Sequence, residues 1–262
     1  MTDVVAVDWS GARTGEGRRL WLAHVRDGQM LELTSGRTRR QVIDHLIELK
    51  AACPEHLAVG LDFSFSLPAW FLHQRGLRSA ADLWREVAEH GETWLHDCQP
   101  PFWGKKGDRR PELEEHLRRT ERVATIGGIA AKSTFQIRGA GTVGTGSLRG
   151  MPYLLDLQRA GFCIAPFDPP SCHTVVEVYP RLMTGPVHKR NLADRAAYLE
   201  RSRWTLSPGQ RALAASSEDA FDAAITALVM DEHANELRRV RPTDDPDLRL
   251  EGWMWAPNNI EA

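Results

Sequence analysis

Residues 4–11 read VVAVDWSG. An apolar run rich in β-branched residues that ends in Asp, Ser and Gly is typical of a buried strand followed by a turn. The pattern therefore predicts a first strand with Asp8 at its carboxyl end.

The next residues predict an antiparallel meander, a helix and a second buried strand. Residues 18–36, RRLWLAHVRDGQMLELTSG, hold two strand-like runs around Asp27 and Gly28, a dipeptide that tolerates the positive φ of a tight hairpin turn. A helical period then runs to Ala52 behind Thr38, which can cap it. Residues 56–68, HLAVGLDFSFSLP, predict a strand that ends at Asp62.

Two later segments return to the same pattern. Residues 172–180, CHTVVEVYP, predict a β-branched strand whose end carries Glu177. Residues 216–233, SSEDAFDAAITALVMDEH, predict a buried helix capped by Ser217 or Ser216. Within it, Asp219 and Asp222 share one face because three residues make nearly one helical turn.

The middle of the chain differs from both ends. Residues 63–160 combine aromatic and Pro-rich loops with helical stretches and a glycine-rich run at 127–150. We interpret this segment as an inserted cap or substrate-facing subdomain, and residues 1–62 with 161–262 as the core. The predicted fold class is α/β, a mixed five-stranded sheet flanked by helices with a large cap-like insertion.

Composition excludes several classes of protein. The chain has 262 residues, 42% hydrophobic and 26% charged, as in an ordinary globular protein, and its sequence offers no apolar run long enough to span a bilayer. The start MTDVVAVDWSGA lacks the basic region of a secretory signal, so we expect a cytoplasmic location without membrane contact. With a net charge of −2, any polyanion site must be local. We expect such a polyanion-binding site within residues 99–150, which contain ten Lys or Arg and five acidic residues.

The order strand, strand, strand, helix, strand, later strand and closing helix resembles the ribonuclease H-like fold. Four motifs, AVDWSG, GLDFSFSLP, VEVYPR and EDAFDAAITAL, resemble those of the family known as domain of unknown function 429, described as predicted nucleases of that fold. The central AKSTFQ and GAGTVGTGSLRGMP and the C-terminal EGWMWAP are also similar to that family, so the resemblance covers most of the chain.

This resemblance implies a metal-dependent nuclease or related phosphodiester hydrolase with Mg²⁺ or Mn²⁺ as cofactor and nucleic acid as partner. Asp8 would bridge two ions, and the remaining catalytic and metal-binding candidates are Asp62, Glu177 and Asp222, with Asp219 as an alternative ligand. Such ions prefer carboxylate oxygens and keep waters that can become the attacking hydroxide. Without metal, the clustered acids should repel one another and at least one pKa should rise.

Four cations are candidate substrate-binding residues: Lys132, Arg138, Arg149 and Arg181. For the first three, a solvated basic face is the alternative, and Arg181 could pair with an acid instead. The run Gly139-x-Gly141-x-x-Gly144 fits a dinucleotide fingerprint, but the short polar TFQI before it is a poor buried strand. A loop that donates backbone N–H groups to a phosphate and a plain structural loop both remain open.

Two other functions compete with the nuclease. A nucleotide-binding phosphotransferase of actin-like topology also places an Asp after its first strand. Two glycine-rich phosphate loops in duplicated halves would indicate such an enzyme, and the sequence has one such run. A noncatalytic nucleic-acid-binding or protein-binding module that keeps the fold would bind without turnover.

Overall fold

A computed structural model of the chain describes residues 2–53, 55–104, 107–108, 111–112, 116–126, 128–139 and 141–258. Its strands are β1 Asp3–Asp8, β2 Trp21–Arg26, β3 Gln29–Ser35, β4 Leu57–Leu61, β5 Thr125–Ile126, β6 Ile129–Ala130, β7 Cys163–Ile164 and β8 His173–Glu177. Its α-helices are α1 Arg39–Ala52, α2 Ala69–Gln74, α3 Ala80–Asp97, α4 Arg119–Val123, α5 Val143–Arg159, α6 Pro180–Thr184, α7 Leu192–Arg201, α8 Pro208–Ala215, α9 Glu218–Glu232, α10 Ala234–Leu237 and α11 Leu248–Glu251. No helix within these described ranges is long and apolar enough to cross a membrane.

One mixed sheet organises the protein, with strand order β3-β2-β1-β4-β8-β7. Strand β2 runs antiparallel to both of its neighbours, whereas β4 is parallel to β1 and β8 is parallel to β4 and β7. The α/β class and the mixed sheet flanked by helices are thus confirmed. The predicted number of five strands is wrong, because β7 adds a sixth that is only two residues long and gives no periodic signal in the sequence.

Local sequence signals account for the boundaries of several elements. Asp27 and Gly28 have φ of 48° and 76°, as the tight turn between β2 and β3 requires. Thr38 caps α1 by accepting a hydrogen bond from the backbone N–H of Gln41. Ser217 caps α9 in the same way, accepting from the N–H of Ala220 at 3.0 Å.

The two faces of the sheet carry separate hydrophobic clusters. Alternation along β1 sends Val5 and Val7 to a cluster with α1, α3 and α5, and sends Val4 and Ala6 to one with α9. Helices α3 and α5 come from the segment 63–160 that was predicted as an insertion, so this segment shares a core with the sheet. Its separation from 1–62 and 161–262 as a subdomain stays a prediction.

The loop after β1 packs directly on the start of α5. A Cβ atom added to Gly11 would lie 2.6 Å from the backbone nitrogen of Gly146 and 2.8 Å from the carbonyl carbon of Thr145. The Arg149 guanidinium also donates to the Gly11 carbonyl oxygen at 2.5 Å. This close approach fixes the chain immediately beyond Asp8.

We predict that Gly11→Ala lowers the free energy of unfolding by about 1–3 kcal/mol, because rigid backbone must move to admit the methyl group. Urea unfolding measures the change. Gly209→Ala is the matched control, since among the described residues no atom lies within 4 Å of its added Cβ. The control should leave stability unchanged or raise it by up to about 1 kcal/mol. Equal stabilities for the two variants would contradict the packing described.

Candidate functional site

Two carboxyl groups meet at the carboxyl ends of the central parallel strands. Asp8 ends β1, and Asp62 follows β4 directly, with its backbone N–H donating to the Val7 carbonyl at 3.0 Å. Both residues are partly exposed, and they lie close enough that, besides burial, the charge of Asp62 raises the pKa of Asp8.

Helix α9, which packs on one face of the sheet, adds two more acids near the carboxyl ends of β1 and β4. Asp222 is buried, with 8% of its surface exposed, and Asp219 is partly exposed one turn earlier. Both carboxylates raise the pKa of Asp8 through charge repulsion. The structure therefore brings Asp8, Asp62, Asp219 and Asp222 together, and we refer to these four residues as the acid cluster.

Burial and mutual repulsion perturb the acid cluster in one direction. Desolvation, followed by repulsion from Asp62, raises the pKa of Asp8 well above its usual value. Desolvation, followed by repulsion from Asp222, raises the pKa of Asp62 to about 8. The expectation that clustered acids without metal show a raised pKa is thus confirmed.

A buried lysine enters the acid cluster. Lys189, 9% exposed, places its Nζ 2.5 Å from Oδ2 of Asp222. The other oxygen of Asp222, Oδ1, is buried and has no hydrogen-bond partner among the described residues. Sequence reasoning missed Lys189, because a single Lys in a loop carries no pattern that separates it from a surface residue.

Glu177 lines the same cavity as Asp62 and adds to the rise in the Asp62 pKa, but its side chain lies on the other face of the sheet from α9. The register pairs Glu177 with Leu61 rather than with Asp62, so strand alternation turns it toward the opposite face of the sheet. There its two carboxylate oxygens accept from the Arg118 guanidinium, and Oε2 also accepts from the Phe65 N–H at 2.8 Å. Arg118, fully buried, also pairs with Glu121. Glu177 therefore holds the chain around it by an ion pair.

The four predicted substrate-binding cations have different surroundings. Lys132 is exposed and lines a cavity next to Asp62. Arg138 donates to the carbonyls of Leu95 and His96 at the end of α3.

The other two cations also have partners within the protein. Arg149 pairs with Glu92, and Arg181 donates to the carbonyls of Gly185 and Val187. Four further basic residues of the predicted polyanion site, at positions 105, 106, 109 and 110, lie outside the described residues.

Two cavities flank the acid cluster. One of about 340 Å³ is lined by Asp62, Tyr179 and Lys132, among others, and one of about 290 Å³ by Asp8, Asp219 and Arg19. Trp9, Gly11 and Thr142 line both cavities. Each cavity thus places an exposed cation, Lys132 or Arg19, beside the acid cluster. The sequence analysis did not identify Arg19.

The donor set fits a divalent cation in its chemistry. Among the residues that the structure describes, no group of three or more His, Cys, Asp or Glu side chains is arranged to hold a metal ion. The acid cluster nevertheless offers hard carboxylate oxygens, a buried unpartnered Oδ1 on Asp222, and repulsion that a cation would relieve. Glu177 lacks these properties, because Arg118 already satisfies it.

The glycine run at 139–144 does not have the surroundings of a dinucleotide site. Gln136, just before it, makes only an isolated bridge with Trp103 and belongs to no strand. A Cβ on Gly144 would lie 2.1 Å from the Thr134 carbonyl oxygen, so this glycine permits close packing in the first turn of α5.

Comparison of the chain with models of known protein families, with curated proteins and with solved structures finds no match. The similarity of its motifs to domain of unknown function 429 accordingly stays a prediction.

We predict that Asp62→Asn becomes progressively more stable relative to the wild type as pH rises from 5 to 8 in EDTA. The folded chain holds the Asp62 proton up to about pH 8, whereas the unfolded chain releases it near its usual pKa of about 4. As pH rises through this window, the free energy of unfolding of the wild type therefore falls, by at most about 1.4 kcal/mol per pH unit for this one proton. Urea unfolding at each pH measures the difference.

Asp44→Asn is the control for this experiment, since pairing with Arg40 lowers the pKa of Asp44 and its titration ends below the window. Its stability relative to the wild type should not change between pH 5 and 8. A pH-independent difference for Asp62→Asn would show that the carboxyl groups are not coupled as described.

We predict that Glu177→Gln lowers the free energy of unfolding by about 3 kcal/mol, because it leaves the buried Arg118 with one carboxylate fewer. Urea unfolding measures the loss. Glu92→Gln, which breaks a pair with an exposed carboxylate, should cost at most about 1 kcal/mol. A Glu177→Gln variant as stable as the wild type would contradict this structural role.

Proposed function

We propose that the protein is a divalent-metal-dependent phosphodiester hydrolase that acts on nucleic acid and has a ribonuclease H-like fold. The observation that carries the proposal is the convergence of Asp8, Asp62 and Asp222 from two adjacent parallel strands and a helix, next to two cavities. Acids whose pKa values are perturbed by burial and by specific charges, and that lie beside a cleft, are candidates for a functional site.

The topology supports the fold assignment. Strands β1, β2 and β3 form an antiparallel meander, α1 leads to β4 beside β1, and β8 lies beyond β4. Helix α9 then returns across β1 and β2. This succession resembles the ribonuclease H-like arrangement, in which acids on the central strands face an acid on the closing helix.

The carboxylates of Asp8, Asp62 and Asp222 would hold the cation, with Asp219 at the margin beside Arg19. When bound, Mg²⁺ or Mn²⁺ supplies a water of lowered pKa and stabilises charge on a phosphoryl oxygen. The protein contributes the anchoring oxygens and a partly buried setting, in which charge interactions are stronger than in water. Asp62, whose pKa is raised to about 8, would give up its proton when the cation binds.

Exposed cations on each side of the acid cluster suit a polyanionic substrate. Lys132 borders the cavity beside Asp62, and Arg19 borders the one beside Asp8. Within the described part of the chain, Lys132 forms no ion pair, and Arg19 acts on Asp219 through its charge without a direct ion-pair contact. They could therefore bind phosphates that flank the reacting one, whereas Arg138 and Arg149 are committed to contacts within the protein.

We predict that Asp8→Asn weakens Mn²⁺ binding at least tenfold and abolishes hydrolysis of DNA and RNA oligonucleotides, because it removes a charged ligand between the other acids. Isothermal titration calorimetry and an oligonucleotide cleavage assay measure the two effects. Asp244→Asn, a change at an exposed acid, is the control and should behave as the wild type.

Three outcomes would redirect the proposal. Equal Mn²⁺ binding by the wild type and Asp8→Asn would remove the metal site from the acid cluster. Turnover of ATP with no oligonucleotide cleavage would favour a phosphotransferase. Oligonucleotide binding without cleavage at any metal concentration would favour a noncatalytic module.

A further inference from the structure

The loop between α6 and α7 is built to deliver one ammonium group to the acid cluster. The Arg181 guanidinium holds this loop by donating to the carbonyls of Gly185 at 3.0 Å and Val187 at 2.8 Å. The buried Arg195 donates to the Lys189 carbonyl and, at 2.9 Å, to that of Ala215, just before α9. Two arginines thus fix the backbone that carries Lys189.

The lysine side chain then turns inward. Burying an ammonium group costs free energy unless opposite charge compensates for it. Lys189 is nine-tenths buried and contacts Oδ2 of Asp222. Its positive charge offsets part of the rise in the pKa of Asp8, Asp62 and Asp219 that burial and repulsion cause. Its electrostatic effect therefore reaches every member of the acid cluster.

This placement limits how many cations the cluster can hold. The ammonium group occupies Oδ2 of Asp222, so only Oδ1 of that residue is free among the described contacts. Arg19 offsets the charge of Asp219, the fourth acid of the cluster. The carboxylates of Asp8, Asp62 and Asp222 together with the Lys189 ammonium then leave two negative charges, which one divalent cation neutralises. A second dication next to the ammonium would meet like charge.

We propose that the Lys189 ammonium group takes the position of a second metal ion, so that the acid cluster binds one divalent cation per chain. This inference rests on the proposed function, and it departs from the two-ion arrangement that the motif resemblance implies. Lys189 is then a positioning residue that sets the metal stoichiometry and keeps Asp222 oriented toward the remaining ion.

The test counts bound Mn²⁺ on the full-length protein by calorimetry and by electron paramagnetic resonance, which distinguishes an isolated ion from a coupled pair. The wild type should bind one ion with an uncoupled spectrum. Lys189→Gln, which keeps a hydrogen-bond donor for Asp222 but removes the charge, should bind two ions with a coupled spectrum. Lys189→Arg and Lys50→Gln, which changes a lysine bonded to the Ala160 carbonyl, are the controls, and both should bind one ion.

The outcomes separate this inference from the proposed function. Two coupled ions on the wild type would overturn the inference and leave the metal-dependent function standing. No bound ion on the wild type would overturn the proposed function itself. One ion on a folded Lys189→Gln protein, as judged by circular dichroism, would also overturn the inference, and Lys189→Met provides the same count if the amide variant does not fold.

Discussion

The parallel pairing of β1 with β4 brings like charges together at the centre of this protein. The pairing of Val7 with Leu61 places the next residues, Asp8 and Asp62, side by side at one edge of the sheet. Their backbones cannot separate without breaking the hydrogen bonds between the strands, which are buried in the core. Helix α9 adds to this repulsion with Asp219 and Asp222, and the buried Lys189 ammonium group offsets part of it.

The chain handles its buried acids in two different ways. On one face of the sheet, Arg118 satisfies Glu177 and Glu121 and ties the segment before α4 to the end of β8. On the other face, one ammonium group serves a cluster of four carboxyl groups, and Asp222 keeps an oxygen without a partner in the described chain. The first arrangement needs nothing more, whereas the second favours any cation that can enter, which is why we place function there.

The two cavities lie where the packing of the chain after β1 leaves space. Gly11 lets that loop approach α5 so closely that Trp9 and Thr142 border both openings. The same helix packs its apolar face on the sheet, so residues of the central segment both complete the core and shape the approach to the acids. The shape of the two cavities therefore depends on core packing as much as on surface residues.

The sequence alone determined the elements whose causes are local. The Asp27-Gly28 turn, the caps at Thr38 and Ser217, and the apolar periods of β1, β4 and α9 rest on conformational preferences of a few residues. Because strand ends and a helix start can be located in this way, the meeting of Asp8, Asp62 and Asp222 could also be predicted. Only the tertiary structure decided the face on which Glu177 lies, because a one-residue difference in register turns a side chain to the other side of the sheet. It also decided the partners of Lys189, Arg118 and Arg149, since long charged side chains pair with whatever the fold brings near them, and those partners are distant in the sequence.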